Sequence, residues 1–298
     1  MNKHFFAIYA TPDDHRPLAY RGSTVDGRWV DGELVDAAGT DRHPVRNGIP
    51  SFATPAEDSW GDRTAVDREL TRVGGKLDGL IADNVRAMLS GWGPTHKRYQ
   101  WAKRIADHGG LIMEIACGWG GGNVPMMMEI DPQATVLMND LGLVVLDEWR
   151  NHLAGERKWP NVGLAHFDAT RCPLRSGSID CVDSAGGIAN IPGSNRAISE
   201  AYRVLKHGGK LFMSDIDLDP DSFRRLPVQV REDWKRSNDD PDAGSGYRRR
   251  LERAGFKILS LEANSYTLDP RESTIAEIAA THGLAMNVIG YSIEAVKE

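Results

Sequence analysis

The residues best suited to chemistry lie in a glycine-rich stretch near the middle of the chain. Residues 114–120 read Glu-Ile-Ala-Cys-Gly-Trp-Gly; a short apolar run precedes them, and a helical pattern follows to Met128. A strand that ends in a glycine turn and opens a helix offers a ligand backbone N–H groups and the positive end of the helix dipole. Such a turn indicates a nucleotide-type ligand without specifying it, because nicotinamide and flavin enzymes use one too.

Two acidic residues follow the turn at positions that an open sheet would bring to one edge. Asp140 ends the next predicted strand, twenty residues after Gly120, where a carboxylate can accept hydrogen bonds from both ribose hydroxyls. Asp168 follows the third strand and can accept a hydrogen bond from an adenine amino group. Each acid also has a plainer interpretation, a helix N-cap for Asp140 and a turn residue for Asp168. The spacing favours a nucleoside site.

These residues need a framework that alternates strands and helices. From residue 111 onward apolar runs alternate with helical patterns, including helices over 195–205 and 247–254, and an irregular insertion is predicted over 217–246. The alternation predicts an α/β fold: a Rossmann-like, seven-stranded, mostly parallel sheet with helices on both faces. The predicted strands cover residues 111–115, 135–138, 161–167, 179–184, 210–216, 257–262 and 291–296.

The N-terminal third has a different pattern. Residues 1–10 predict a first strand rather than a signal peptide. Gly, Pro and Asp punctuation up to residue 55 predicts a small antiparallel, β-rich appendage. Apolar residues at helical spacing predict a helical cap or linker over 56–108. We therefore divide the chain into residues 1–55, 56–108 and 109–298, the last being the ligand-binding domain.

Composition excludes some functional classes. The chain has 298 residues, 41% hydrophobic and 26% charged, which is an ordinary globular balance. No run approaches the ~18 apolar residues that a membrane-spanning helix needs. Three cysteines without a Cys-x-x-Cys pair argue against disulfides and a thiolate metal site, so we expect a cytoplasmic protein without a metal. The net charge of −6 argues against a nucleic-acid partner. A homo-oligomer is compatible with the sequence.

Over about residues 90–262 the chain resembles the class I S-adenosylmethionine (SAM) dependent methyltransferases, in the variant of the ubiquinone and menaquinone C-methylases (methyltransferase type 11). Two departures stand out: His207 replaces the usual proline of the last motif, and residues 185–190 replace the segment that would indicate the methylated atom. The motifs that carry the resemblance are Glu-Ile-Ala-Cys-Gly-Trp-Gly at 114–120, Asp-Ala-Thr-Arg-Cys-Pro-Leu at 168–174, Ser-Ile-Asp-Cys-Val at 178–182 and Arg-Val-Leu-Lys-His-Gly-Gly-Lys-Leu at 203–211.

The resemblance implies SAM as cofactor and assigns roles to individual residues. Glu114 anchors the glycine turn and reaches the methionine amino group through water. Asp140 holds the ribose and Leu141 packs on the adenine, whose edge is held by Asp168 and Ala169. The expected cofactor-binding residues are Glu114, Ala116, Cys117, Gly118, Trp119, Gly120, Asp140, Leu141, Asp168, Ala169 and Ala185.

A second resemblance concerns the N-terminal segment. Residues 43–52, His-Pro-Val-Arg-Asn-Gly-Ile-Pro-Ser-Phe, are similar to the end of the zinc-ribbon module related to the Trm112 activator of methyltransferases. That module binds zinc through cysteines, and none precedes Cys117 here, so the resemblance implies a Trm112-like ribbon that has lost its metal. An unrelated hairpin that shares a short turn is the alternative.

Methyl transfer itself demands little from side chains. A sulfonium methyl is a strong electrophile, so the protein must hold a nucleophile in line with it, about 3 Å away, and exclude water. A general base is needed only when the nucleophile keeps its proton. Asn190 and Tyr99 are weak candidates for catalytic residues, and Trp119, Ile191 and Asp215 are further candidates to line the acceptor pocket at the carboxyl ends of the strands.

We expect a small-molecule acceptor with an oxygen, nitrogen or carbon nucleophile, as in secondary metabolism. The alternatives are an RNA or protein methyltransferase that uses the N-terminal segment for recognition, a SAM-binding enzyme of the same fold that does not methylate, and a nicotinamide dehydrogenase. The acidic charge and missing zinc cysteines argue against the first, and the absence of a Gly-x-Gly-x-x-Gly spacing argues against the last.

Overall fold

Two separate sheets organise the chain. The computed structural model describes residues 5, 7–54, 58, 63–72, 75–155, 159–271 and 273–298. The smaller sheet is antiparallel and consists of β1 (Leu18–Val25), β2 (Arg28–Asp36), β3 (Arg42–Arg46) and β4 (Ile49–Pro50), paired in that order. Its buried side chains Trp29, Leu34 and Val45 belong to the same apolar cluster as Phe167 of the larger sheet's region. The small sheet therefore packs on the large one.

The first ten residues do not form the predicted strand where the structure describes them. Residues 7–10 form a turn followed by two isolated bridges, Tyr9 with Leu174 and Ala10 with Pro17. Tyr9 is fully buried. The apolar pattern of this segment therefore reflects packing against the connections of the large sheet, and not pairing along a neighbouring strand. Residues 1–4 and 6 of this prediction lie outside the described residues.

Three helices separate the two sheets along the chain: α1 (Arg63–Arg72), α2 (Leu80–Gly91) and α3 (Lys97–His108). The helix α3 begins after His96, whose ring accepts a hydrogen bond from the backbone N–H of Arg98 at 3.2 Å. Its buried residues Ala102, Ile105 and Ala106 recur at helical spacing and form one apolar face. The proposed boundaries between the three regions of the chain stay a prediction.

The large sheet has seven strands, of which five are longer and two are shorter than predicted. Its order is β10-β11-β9-β8-β5-β6-β7, with parallel pairing from β9 to β7 and antiparallel pairing on both sides of β11. The strands are β5 (Leu111–Glu114), β6 (Thr135–Asp140), β7 (Val162–His166), β8 (Ile179–Ala185), β9 (Leu205–Leu218), β10 (Phe256–Thr267) and β11 (Asn287–Lys297). The helices after β5 are α4 (Val124–Ile130), α5 (Leu143–Gly155), α6 (Ser194–Val204), α7 (Pro220–Arg225), α8 (Val228–Ser237), α9 (Tyr247–Ala254) and α10 (Thr274–Thr281).

Helices cover both faces of this sheet, which confirms the predicted fold class. The helices α2 to α5 pack on one face, whereas α6, α9 and the small sheet pack on the other. The chain runs from β5 outward to β7 and then returns to β8 on the other side of β5. The loops after β5 and β8 therefore diverge and leave a crevice at the carboxyl ends of these strands, where open α/β sheets bind ligands.

The insertion predicted to be irregular, residues 217–246, is instead largely helical. It holds the end of β9 and the helices α7 and α8. The helix α7 begins where Asp219 accepts a hydrogen bond from the backbone N–H of Ser222 at 2.9 Å, with Pro220 at the first helical position. Phe223 and Leu226 pack with α10 in a small separate core. The helical periodicity of this segment is weak because its buried apolar residues are few: Phe223, Leu226 and Ala243.

Candidate functional site

A cavity of about 690 Å³ opens at the crevice between the ends of β5, β6 and β8. It brings together the predicted cofactor-binding residues, except Glu114, and the candidates Asn190 and Ile191. Tyr99 does not line it; this half-buried side chain packs in the apolar cluster on the face covered by α2 to α5. The predicted residues on its wall are Ala116, Cys117, Gly118, Trp119, Gly120, Asp140, Leu141, Asp168, Ala169 and Ala185.

Hydrogen bonds to β6 and α5 fix the glycine turn after β5. The backbone N–H of Cys117 donates to the carbonyl of Asn139 at 2.8 Å, and the indole N–H of Trp149 donates to the carbonyl of Gly118 at 2.8 Å. Ala116 has a φ of 52° and Gly118 a φ of 53°, so the backbone turns through the left-handed region twice. These contacts fix the turn while its outer edge faces the cavity.

Two further glycines make the turn possible, and the sequence analysis did not single out their role. A Cβ at Gly122 would lie 1.9 Å from Oε1 of Glu114, and one at Gly121 would lie 2.5 Å from the ring of Trp149. Both residues also have positive φ. Only glycine fits these positions, because any side chain would overlap a buried group in a conformation that L-residues rarely adopt.

Asp140 forms the centre of the cavity's wall and is 9% exposed. Its Oδ2 accepts a hydrogen bond from the backbone N–H of Gly118, and its Oδ1 accepts one from that of Gly142, both at 2.8 Å. Burial raises the pKa of Asp140, while these two N–H donors oppose the rise. Each carboxylate oxygen keeps a second lone pair. Asp140 therefore secures the turn and can still accept two hydroxyl groups from a ligand.

Asp168 makes the predicted turn contact and lies on the same cavity wall as Asp140. Its Oδ1 accepts a hydrogen bond from the backbone N–H of Thr170 at 2.8 Å and caps a short 3₁₀ turn over Ala169–Arg171. The residue is partly buried and lines the same cavity as Asp140. The plainer turn interpretation is thus observed, and the position on the wall leaves the carboxylate available to a ligand.

Glu114 lies beneath the turn rather than on the cavity wall. It is fully buried, and its Oε1 accepts a hydrogen bond from the backbone N–H of Ala185 at 3.3 Å. Burial and the adjacent Asp183 raise the pKa of Glu114, and burial also raises the pKa of Asp183, which accepts from Asn123 Nδ2 at 3.0 Å. Two buried carboxylates at short range cannot both be charged, so we infer that they share a proton. The predicted water-mediated contact of Glu114 with a ligand stays a prediction.

His166 connects the cavity wall to the N-terminal segment. Its Nε2–H donates to the carbonyl of Leu141 at 2.9 Å and lies 3.5 Å from Oδ2 of Asp58, and its Nδ1 is hydrogen bonded to the hydroxyl of Ser51 at 2.7 Å. The backbone N–H of Phe52 also donates to the carbonyl of His166 at 2.8 Å. The ring is 2% exposed and plays the structural role that its strand position indicates.

Arg98 is a residue on the cavity wall that the sequence analysis missed. It lies at the start of α3 and is partly buried, and its guanidinium stacks on the ring of Trp92 at 4.8 Å from the centroid. Among the described residues no carboxylate forms an ion pair with it. A cation held by an aromatic ring at the edge of a cavity can bind an anionic group. The only sequence signal was an arginine next to aromatic residues in the helix that precedes β5.

Comparisons with known proteins agree with this arrangement. Residues 92–218 match the model of the ubiE/COQ5 methyltransferase family. The chain is 27% identical over 142 residues to the ubiquinone/menaquinone biosynthesis C-methyltransferase UbiE of Marinomonas sp. (strain MWYL1). It is 32% identical over 104 residues to the demethylmenaquinone methyltransferase of Listeria monocytogenes serotype 4a (strain HCC23). These alignments cover 44% and 35% of this chain and 57% and 44% of the relatives, so the chain spans about half the length of the curated relatives it matches.

A solved structure shows the same fold. The crystal structure of a candidate methyltransferase from Bacillus halodurans C-125 superimposes with a TM-score of 0.51 at 19% identity, over 67% of this chain and 98% of that chain. The family match confirms the resemblance to class I SAM-dependent methyltransferases for residues 92–218. The small sheet lies outside the matched residues, so its Trm112-like character stays a prediction.

Proposed function

We propose that this chain, whose residues 92–218 match the ubiE/COQ5 methyltransferase family, transfers a methyl group from SAM to a small-molecule acceptor. The observation that carries the proposal is the cavity at the carboxyl ends of β5, β6 and β8, where the buried carboxylate of Asp140 and an open glycine turn face the same space. A sheet edge of this kind is suited to a ligand with an adenosine at one end and a short charged tail at the other.

The adenosine half would lie along the ends of β6 and β7. Asp140 accepts hydrogen bonds from the ribose hydroxyls, and its ties to Gly118 and Gly142 hold it in place before the ligand arrives. Leu141 packs on the adenine ring, and Asp168 accepts a hydrogen bond from the adenine amino group. The carbonyl of Leu141 is fixed by His166, which limits the movement of this wall.

The methionine half would lie across the glycine turn toward Arg98. The turn residues Ala116, Gly118 and Gly120 expose backbone to the cavity, and Arg98 supplies the cation that a free carboxylate requires. Two arginines line the cavity, Arg98 and Arg196. Arg196 pairs with Asp239 at 2.7 Å, whereas Arg98 forms no ion pair among the described residues. We therefore assign Arg98 to the carboxylate of the donor. The ligand's methyl group would then face Asn190 and Ile191.

Catalysis in this arrangement depends on position rather than on a reactive side chain. When bound, SAM supplies an electrophilic methyl group, and the acceptor supplies the electron pair. The cavity walls hold the two in line and keep water away, which removes most of the entropic cost of the encounter. Asn190 donates from Nδ2 to the carbonyl of Gly186 at 2.7 Å and thereby shapes the loop where the acceptor would approach.

Partners and location follow from the same properties. The net charge of −6 disfavours nucleic acid and leaves a small molecule as the proposed acceptor. In the part of the chain that the structure describes, no helix has the length and apolarity to cross a membrane. The three cysteines are buried free thiols, which supports a reducing cytoplasm as the proposed location.

Calorimetric titration with S-adenosylhomocysteine (SAH) and with NAD tests the cofactor. We expect SAH to bind and NAD to bind at least tenfold more weakly. The Arg98→Ala variant should weaken SAH but leave 5′-methylthioadenosine unchanged, because that nucleoside lacks the carboxylate. Incubation with SAM and a panel of phenols, amines and quinols, followed by assay of SAH release, tests the activity. Preferential NAD binding would refute the proposal.

A further inference from the structure

Asp215, near the carboxyl end of β9, is a buried carboxylate without a counter-ion. It is 5% exposed. Its Oδ2 accepts a hydrogen bond from the backbone N–H of Ala189 at 2.9 Å, and its Oδ1 accepts one from that of Ile216 at 2.8 Å. No lysine, arginine or histidine among the described residues forms an ion pair with it. Burial raises the pKa of Asp215 to about 6. The group is therefore mostly charged at neutral pH.

The hydrogen bonds of Asp215 hold it in place but offset only part of the cost of its charge. Asparagine has a single carbonyl oxygen and could accept only one of the two backbone bonds. A buried ion without a partner costs free energy that two backbone donors only partly offset. Charged groups of this kind concentrate at functional sites, where a ligand supplies the missing partner.

Asp215 lines a second cavity of about 440 Å³ that adjoins the proposed donor site. Three residues, Arg98, Gly186 and Asn190, belong to the walls of both cavities. A molecule in the second cavity would thus approach the donor's methyl group past the loop after β8. The rest of its wall is formed by the ends of β9, β10 and β11, including Ser214, Asn264, Tyr266, Tyr291 and Ser292.

Two tyrosines and one arginine are the titratable side chains that line the second cavity together with Asp215. Tyr266 and Tyr291 contribute aromatic rings to the same wall, and Arg98 lies at the end shared with the donor site. Asp217 and the buried Tyr247 are the other titratable groups that influence Asp215.

Asp217 provides an internal comparison for Asp215. It lies two residues further along β9, is 8% exposed, and has a pKa raised to about 6 by burial. Unlike Asp215 it has a cation nearby, since Nη1 of Arg250 lies 3.7 Å from its Oδ2. Arg250 is itself buried and also lies 3.3 Å from Asp240. The charge of Asp217 is thus explained within the chain, and that of Asp215 is not.

Building on the methyl transfer proposed above, we propose that the second cavity receives the methyl acceptor and that this acceptor presents an amine, whose protonated form pairs with Asp215. Tyr266 and Tyr291 line the same cavity, and an aromatic ring can attract a cation. Asp215 takes one proton from the ammonium group, and the freed nitrogen lone pair forms the bond to the methyl carbon. The sulfur–methyl bond breaks, its electron pair stays on sulfur, and a methylated ammonium and neutral SAH remain.

Calorimetry with benzylammonium, and with benzyl alcohol as its uncharged analogue, tests the inference on protein saturated with SAH at neutral pH. We expect benzylammonium to bind at least tenfold more tightly than benzyl alcohol. Asp215→Asn should remove this preference, whereas the matched control Asp217→Asn should keep it within about twofold. Equal binding of the two probes, no benzylammonium binding up to about 10 mM, or a preference that survives in a folded Asp215→Asn variant would overturn the inference.

A pH titration makes the test independent of whether Asp215→Asn folds. In the wild type and in Asp217→Asn, benzylammonium should bind more weakly as the pH falls through about 6, because Asp215 gains a proton there. Affinity that does not change between pH 7.5 and 5 in Asp217→Asn refutes the role of Asp215. Failure of the wild type to bind SAH at all would instead refute the proposed function, so the two failures are distinguishable.

Discussion

Replacing Asp140 by alanine should weaken SAH binding at least tenfold, which corresponds to about 1.4 kcal/mol. Hydrogen bonds from two ribose hydroxyls to a carboxylate are charge-assisted, and each is worth about 1.5–3 kcal/mol when water is excluded. Asp140 is 9% exposed, so water would enter the emptied site and recover part of that loss. The tenfold figure is therefore the lower end of the expected range. Isothermal titration calorimetry with SAH measures it directly.

The same substitution removes acceptors from the backbone N–H groups of Gly118 and Gly142, so a loosened turn has to be separated from a lost ligand contact. Asp131→Ala is a matched control, because Asp131 precedes the opposite end of β6 and accepts from the backbone N–H of Gln133 at 2.9 Å. An SAH analogue without ribose hydroxyls completes a double-mutant cycle. It should bind wild type and Asp140→Ala equally. Unchanged SAH affinity in a folded Asp140→Ala protein would refute the assignment.

Three further outcomes are expected. Gly122→Ala should lower the free energy of unfolding by more than about 3 kcal/mol, because the new Cβ would overlap Glu114. Gly120→Ala should keep the stability, because the space around Gly120 is open, and should weaken SAH binding instead. Urea denaturation measures the first effect and calorimetry the second. For Asp215 the folded pKa of about 6 exceeds the ordinary aspartate value of 3.8, so the wild type should lose about 3 kcal/mol of stability relative to Asp215→Asn as the pH rises from about 3.5 to 6.5. A constant difference in urea unfolding over this range would contradict the raised pKa. His166→Leu should lower the free energy of unfolding by about 2–3 kcal/mol through the loss of two buried hydrogen bonds, and a loss below about 0.5 kcal/mol would show that the ring does not hold the N-terminal segment.

The parallel half of the large sheet was predictable from the sequence, because strands that are buried on both faces consist of consecutive apolar residues. Residues 135–140 include a continuous run of buried positions, and such strands appear in a sequence as uninterrupted apolar stretches. Asp140 was predictable for a related reason: the apolar run stops at Met138, and the acid follows after one residue, at the end of β6. The family match confirms the fold and cofactor class that these patterns indicate.

The antiparallel hairpin was predicted too short because most of its outer strand is exposed. In β10 the residues from Glu262 to Thr267 are all exposed, so neither apolar runs nor alternation marks them. The helix α10 was not predicted at all, because its eight residues offer only about two turns of periodic pattern. Arg98 could not be assigned from its sequence position, because its role depends on how α3 lies over the ends of the strands.

The docking of the small sheet has a consequence for making shorter versions of the protein. β7 is an outer strand of the large sheet, and the backbone around Ser51 and Phe52 continues its hydrogen bonding by pairing with His166. Expression of residues 92–298 alone would expose that strand, remove the hydrogen bonds that Ser51 and Phe52 make with His166, and expose Phe167 and its neighbours to water. An unpaired apolar strand recruits other chains, so such a truncated product should precipitate or form multimers. A soluble catalytic fragment has to keep the residues from Tyr9 onward.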